Sequence, residues 1–190
     1  MFSYLGVLIS VIFGLALAHL LRGLSKLIQI RQTVRIYWVH VLWTFNLLLY
    51  VLGLWWGMYW WNNLQEWTTE LFLFLTSYSI VVFVMSSLLY PAEFPADMDF
   101  EDYYYRNHRW FFGLLTLASV LDIPETLLKG AANLRAVPPQ YVLFVPTIIT
   151  IAAIGTLSRD RRVHALLAVA WLAAMLAYMN FSSLEKLVAR

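Results

Sequence analysis

Polar and apolar positions in this chain neither alternate nor follow a single helical face. They fall into long blocks that are apolar on every side, separated by short polar connections. A bilayer core of about 30 Å needs roughly 20 apolar residues per helix. The first block runs from about Tyr4 to Leu24 and meets its first charge at Arg22. The second, about Ile36 to Tyr59, holds no Asp, Glu, Lys or Arg. The third runs from about Thr68 to Tyr90, with Glu70 near its start. The fourth, about Trp110 to Leu128, is interrupted by Asp122, Pro124 and Glu125. The last two are about Tyr141 to Leu157 and Val163 to Leu184. A membrane-spanning strand would show about ten residues of alternating polarity. The pattern therefore predicts an all-α, polytopic membrane protein: one domain over residues 1–190, built as a bundle of six transmembrane helices.

Composition supports the same solvent. Hydrophobic residues make up 62% and charged residues 13% of the 190, against about 45–50% and about 25% in soluble domains. There is no cysteine, which excludes disulfide frameworks, thiol catalysis and iron–sulfur ligation. A net charge of +2 gives no footprint for nucleic acid.

Charge asymmetry sets an expected direction. The first, third and fifth connections hold nine of the 13 basic residues: Arg22, Lys26, Arg31, Arg35, Arg106, Arg109, Arg159, Arg161 and Arg162. The other side keeps Lys129, Arg135, Lys186 and Arg190. Basic connections stay in the cytoplasm, so both termini are expected outside. Trp55, Trp56, Trp60, Trp61 and Trp67 crowd the outer connection between helices two and three, with Trp38 and Trp110 at the inner boundary. An indole ring, apolar with one N–H, suits the headgroup layer. Ala16-Leu17-Ala18 resembles a leader-cleavage site, but Met1–Gly6 has no positive residue, so the first helix is expected to be retained. Compact connections and the lack of a sorting signal suggest a bacterial inner membrane.

The one plainly polar stretch is residues 91–108. Pro91 and Pro95 end the third helix, and Glu93, Asp97, Asp99, Glu101 and Asp102 precede Tyr103-Tyr104-Tyr105. This reads as a short amphipathic segment on the cytoplasmic face, either self-neutralising or a docking site for a protein partner.

Ionisable groups in the hydrocarbon cost at least about 2.5–3.5 kcal/mol at a helix centre, which makes each a functional candidate. Ser119, Asp122, Thr126 and Lys129 lie along one stripe of helix four, and Glu125 precedes Lys129 by four residues, a favourable ion-pair spacing. Pro124 frees the carbonyl of Val120. Asp122 and Glu125 beside a bare carbonyl make a candidate cation or proton site. Glu70, Thr76 and Ser77 of helix three are placed to complete it, unless Glu125 and Lys129 only snorkel to the outer boundary. Thr69, Thr76 and Ser86, with Glu70, Ser77 and Ser87 beside them, give helix three a polar face for packing or for lining a path. Ser3, Gly6, Ser10, Gly14 and Ala18 form a small-residue stripe on helix one that suits another helix or protomer.

His19 and His40 lie just inside the inner boundary, and His108 and His164 start helices four and six. They are candidates for haem or metal ligation, proton handling or a structural role. No phosphate loop, zinc-protease motif or nucleophile elbow is present, so no enzyme activity and no other cofactor is expected. Three functions remain open. One is an oligomeric channel or transporter for a cation or proton. Another is a noncatalytic subunit or regulator that binds partner proteins, and the last is a redox protein with haem on His19 and His40.

Overall fold

The computed structural model describes residues 2–64, 66–95, 97–137 and 139–188. Among them there is no strand. Seven α-helices form, α1 (Phe2–Gln29), α2 (Trp38–Gly57), α3 (Thr69–Ser87), α4 (Phe100–Leu128), α5 (Ala131–Ala136), α6 (Tyr141–Leu157) and α7 (Arg161–Val188), with a 3₁₀ turn over Met58–Asn63. Five are long and apolar enough to cross a membrane, and α6, at 17 residues, is a shorter apolar helix. The chain is thus a multi-span helical bundle.

The helices pack as a ring. In order around it come α2, α1, α3, α4, α6 and α7, and α7 returns to α2. Helices α2 and α4 also touch across the middle. Each helix turns its buried stripe inward and leaves the opposite side apolar. On α1 the buried positions are Leu5, Ile9, Phe13, Ala16, Leu20 and Leu27, while Val7, Val11, Leu15, Leu21 and Ile28 are exposed. Steps of three, four or seven residues, close to the helical repeat, hold one face toward its neighbours. An apolar outer face suits acyl chains and would be costly in water. The small-residue stripe expected on helix one is turned away from the ring. Ser10, Gly14 and Ala18 lie on the outward side, and a Cβ added at Gly14 would meet nothing within 4 Å. The side chain of Ser3 is outside the described ones.

Aromatic rings fill the centre. Trp43 of α2 meets Phe111 and Phe112 of α4 edge-on, with centroids 5.4 and 5.0 Å apart, and lies 6.1 Å from Trp171 of α7. Two glycines permit this packing. A Cβ on Gly155 would overlap the Phe112 ring, and one on Gly23 would overlap Tyr90.

Helix α4 begins ten residues earlier than the hydrophobic block. Asp99 caps it, accepting from the backbone N–H of Glu101 at 2.8 Å and of Asp102 at 3.3 Å, and those two acids sit in the positive first turn. The expected surface segment is therefore corrected. Residues from Phe100 to His108 open a spanning helix, with Phe100, Tyr104 and His108 buried. Helix α4 also runs on through Pro124 to Leu128.

The first, third and fifth spanning connections meet at one end. Arg35 N–H donates to the Met98 carbonyl and Phe100 N–H to the Arg35 carbonyl, both at 3.0 Å. Arg35 Nη1 lies 3.2 Å from Asp99 Oδ2, and Arg161 pairs with Glu101. Both arginines are well exposed, so each pair adds only about 0–1 kcal/mol and serves to fix register. Two of the acids in the 91–108 segment are thereby committed inside the chain.

This arrangement generates a topology prediction. The chain has no native cysteine, so single cysteines report cleanly. Asp97→Cys and Thr33→Cys should be labelled by a membrane-impermeant maleimide only from the cytoplasmic side, and Glu66→Cys only from the opposite side. Labelling of Asp97→Cys and Glu66→Cys from one side would contradict the six-span ring.

Candidate functional site

Two polar clusters lie at opposite ends of the ring, called outer and inner after the sides that the basic connections predict. The outer one is built on the last two turns of α4. Glu125 is buried, and its Oε1 accepts from Lys129 Nζ at 2.8 Å and from the Trp61 indole N–H at 2.9 Å. The ammonium also lies 5.9 Å from the Trp61 ring centroid, a cation–π distance. One turn earlier, the Tyr141 hydroxyl donates to Asp122 Oδ2 at 2.7 Å and stands 3.0 Å from Thr126 Oγ1. Asn133 of α5 donates to the Thr126 carbonyl at 3.0 Å. The turn that brings α5 back is Gly130, with φ +89°, where a side chain would be strained.

The structure thus brings together Asp122, Glu125, Thr126 and Lys129. Ser119 is buried beside them but donates to the Leu115 carbonyl at 2.8 Å. Helix α3 contributes less than expected. Glu70 and Ser77 are both exposed, because seven residues is nearly two full turns and puts them on one outward face. Glu70 sits in the first turn beside the Thr68 cap, remote from the role expected of it. Thr76 is half-buried, and its hydroxyl is buried without a partner. The hydroxyls of Ser79, Ser86 and Ser87 bond carbonyls of their own helix at 2.7–2.8 Å, a local alternative to bonding across helices.

Two participants were not legible in the sequence. Trp61 was expected in an interfacial belt, yet it is fully buried. The belt reading fits its neighbours Trp55 and Trp56, which are exposed. Nothing in its spacing singles it out. Tyr141 carried a fainter signal, since it opens the helix antiparallel to α4 after a short turn.

The inner cluster gathers all four histidines. His19 and His40 donate from Nε2 to consecutive carbonyls at the end of α3, Tyr90 at 3.3 Å and Leu89 at 2.6 Å. Both Nε2 atoms thus hold the chain that leaves α3. Tyr104 donates to His164 Nδ1 at 2.7 Å, whose Nε2–H donates to the Ser158 carbonyl at 3.0 Å. His108 donates from Nδ1 to the Tyr105 carbonyl at 2.7 Å. Among the described residues, no group of three or more His, Asp and Glu side chains is arranged to hold a metal ion.

Between the clusters a few polar groups sit within the apolar core. Asn46 donates to the Ala168 carbonyl at 2.9 Å, and its own carbonyl oxygen is unpartnered, as is the Trp171 indole N–H. The Tyr50 and Tyr78 hydroxyls are 3.2 Å apart and within electrostatic reach of Asp122 and Glu125.

No protein-family model, curated protein or solved structure shows significant similarity to this chain. The arrangement of its own side chains is what bears on function.

The outer pair yields a stability prediction. Lys129→Met leaves Glu125 buried without its counter-ion, a loss of about 3–5 kcal/mol for a buried pair, and should lower the melting temperature in detergent. The double variant Lys129→Met/Glu125→Gln should recover much of that loss. A double variant no more stable than the single one would show that the pair is not the source of the effect.

Proposed function

We propose that the protein moves protons across the bilayer through the interior of its helix ring. One observation carries this reading: the buried polar side chains do not stop at the two ends but continue along the ring's centre. Between the His164–Tyr104 bond at one end and the Asp122–Tyr141 bond at the other lie Asn46, Trp171 and the Tyr50–Tyr78 hydroxyl pair. His40 and Tyr50 are ten residues apart on α2, about 15 Å of rise. Tyr104 and Glu125 are 21 apart on α4, about 31 Å, the thickness of the hydrocarbon. Lining of this kind is costly in an apolar core and suits hydrogen-bonded relay, since imidazole, phenol and carboxyl groups each donate and accept. The residues named lie on α2, α3, α4, α6 and α7, so the reading draws on more of the ring than helices three and four.

A second reading is favoured by the outward small face of α1. Ser10, Gly14 and Ala18 could seat a helix from another copy of this chain or from a partner, as in a noncatalytic subunit.

Flux separates the two. Purified protein in vesicles carrying an internal pH dye, with a potassium diffusion potential, should acidify faster than protein-free vesicles. Asp122→Asn and Tyr50→Phe should each slow this about tenfold, the effect of one hydrogen bond worth about 1.4 kcal/mol lost from the barrier. Flux equal to that of protein-free vesicles, or unchanged in both variants, would overturn the transport reading.

A further inference from the structure

A small cavity of about 10 Å³ lies between α2, the end of α3 and α4, and its lining includes His40, Leu89, Tyr103, Asn107 and His108. That is about the space one water molecule needs. Two features make it a specific receptor. His40 and His108 are 0% and 1% exposed, and each has a ring nitrogen without a partner, Nδ1 of His40 and Nε2 of His108. The tautomers follow from the opposite nitrogens. A backbone carbonyl only accepts, so His40 must carry its proton on Nε2 to meet Leu89, and His108 on Nδ1 to meet Tyr105. Both unpartnered nitrogens are therefore lone-pair acceptors. Two buried acceptors call for two donors, which a single water supplies.

We propose that this cavity binds one water that donates both hydrogens, to His40 Nδ1 and His108 Nε2, and that this bridged pair is where protons enter the interior path. The water site stands on geometry alone; its role in entry rests on the transport reading above. A proton arriving at the water oxygen is passed on when one of the water's own hydrogens moves to an imidazole nitrogen. The water is regenerated and one imidazolium forms, so atoms and charge balance. His164 packs edge-on against His108 with ring centroids 5.6 Å apart, and its Nδ1 accepts from Tyr104.

Burial without an anion nearby keeps the two imidazoles neutral and makes any imidazolium short-lived. Helix α1 presents His19, α4 presents Tyr103 and Tyr104, and α7 presents His164, none of them anionic at neutral pH. The end of α3 offers the Leu88, Leu89 and Tyr90 carbonyls. Of the acids at the start of α4, Asp99 and Glu101 are held by Arg35 and Arg161, and Asp102 is exposed. No carboxylate lines the cavity, so an imidazolium there has nothing to trap it.

The test uses the whole protein labelled with ¹⁵N-histidine in detergent. Imidazole spectra at neutral pH should show His40 protonated on Nε2 and His108 on Nδ1, each with a cross-peak to a long-lived water. The opposite tautomers, or no water cross-peak at either ring, would overturn the site. In vesicles, His40→Gln and His108→Gln keep a hydrogen-bond acceptor but cannot form an imidazolium. Each should lower flux severalfold while the remaining histidine keeps its water cross-peak. Wild-type flux that both variants leave unchanged would overturn the entry role while sparing the transport reading. Absent wild-type flux would remove the transport reading and with it the entry role, and the water cross-peaks would still decide the site.

Discussion

A hydrogen-bonding group inside hydrocarbon has no bulk water to fall back on, and leaving it unpaired costs several kcal/mol. That constraint organises this molecule. Helices satisfy the backbone, and closing them into a ring gives side chains a shared interior away from lipid. Outward faces carry Val, Leu, Ile and aromatic residues. The carboxyl groups at depth on α4 face inward, where Tyr141 answers Asp122 and Lys129 and Trp61 answer Glu125.

The two ends use the constraint differently. At the inner end the fastening is mostly shallow, through two exposed arginine–carboxylate pairs and a backbone bridge between the first and third spanning connections. Such pairs contribute little energy but fix which loop lies beside which. At the outer end the pair is buried, so its removal is expensive in one direction only: losing either partner strands the other. The deep histidines of the inner end pair chiefly with backbone carbonyls, which fixes their tautomers and leaves two lone pairs over.

The spans were legible because an apolar block of about 20 residues has few other destinations. Their ends were less so. Helix α4 recruits Phe100 to Arg109 ahead of its apolar block, because Asp99 caps it and Glu101 and Asp102 suit its first turn. A hydropathy pattern cannot weigh a cap against a run of charges. Within the outer site, the stripe Asp122–Thr126–Lys129 followed from helical spacing alone, as did the Glu125–Lys129 pair. Contributions from other helices did not. Glu70 has the right chemistry and depth but the wrong rotation, whereas Trp61 has the right position and no distinguishing pattern. Neighbours across a ring depend on how helices are turned, and a single sequence carries that information only weakly.

The proposed proton path requires the ring interior to admit water while the outer faces exclude it. The Trp171 indole N–H, buried in the centre on α7 without a hydrogen-bond partner, reports this directly. Transfer of the protein in nanodiscs from H₂O to D₂O, followed by NMR of the indole protons, should show Trp171 exchanging within minutes, while the backbone amides of α2 remain protected for far longer. An indole proton on Trp171 that persists as long as those amides would mean a dry interior and would contradict the account.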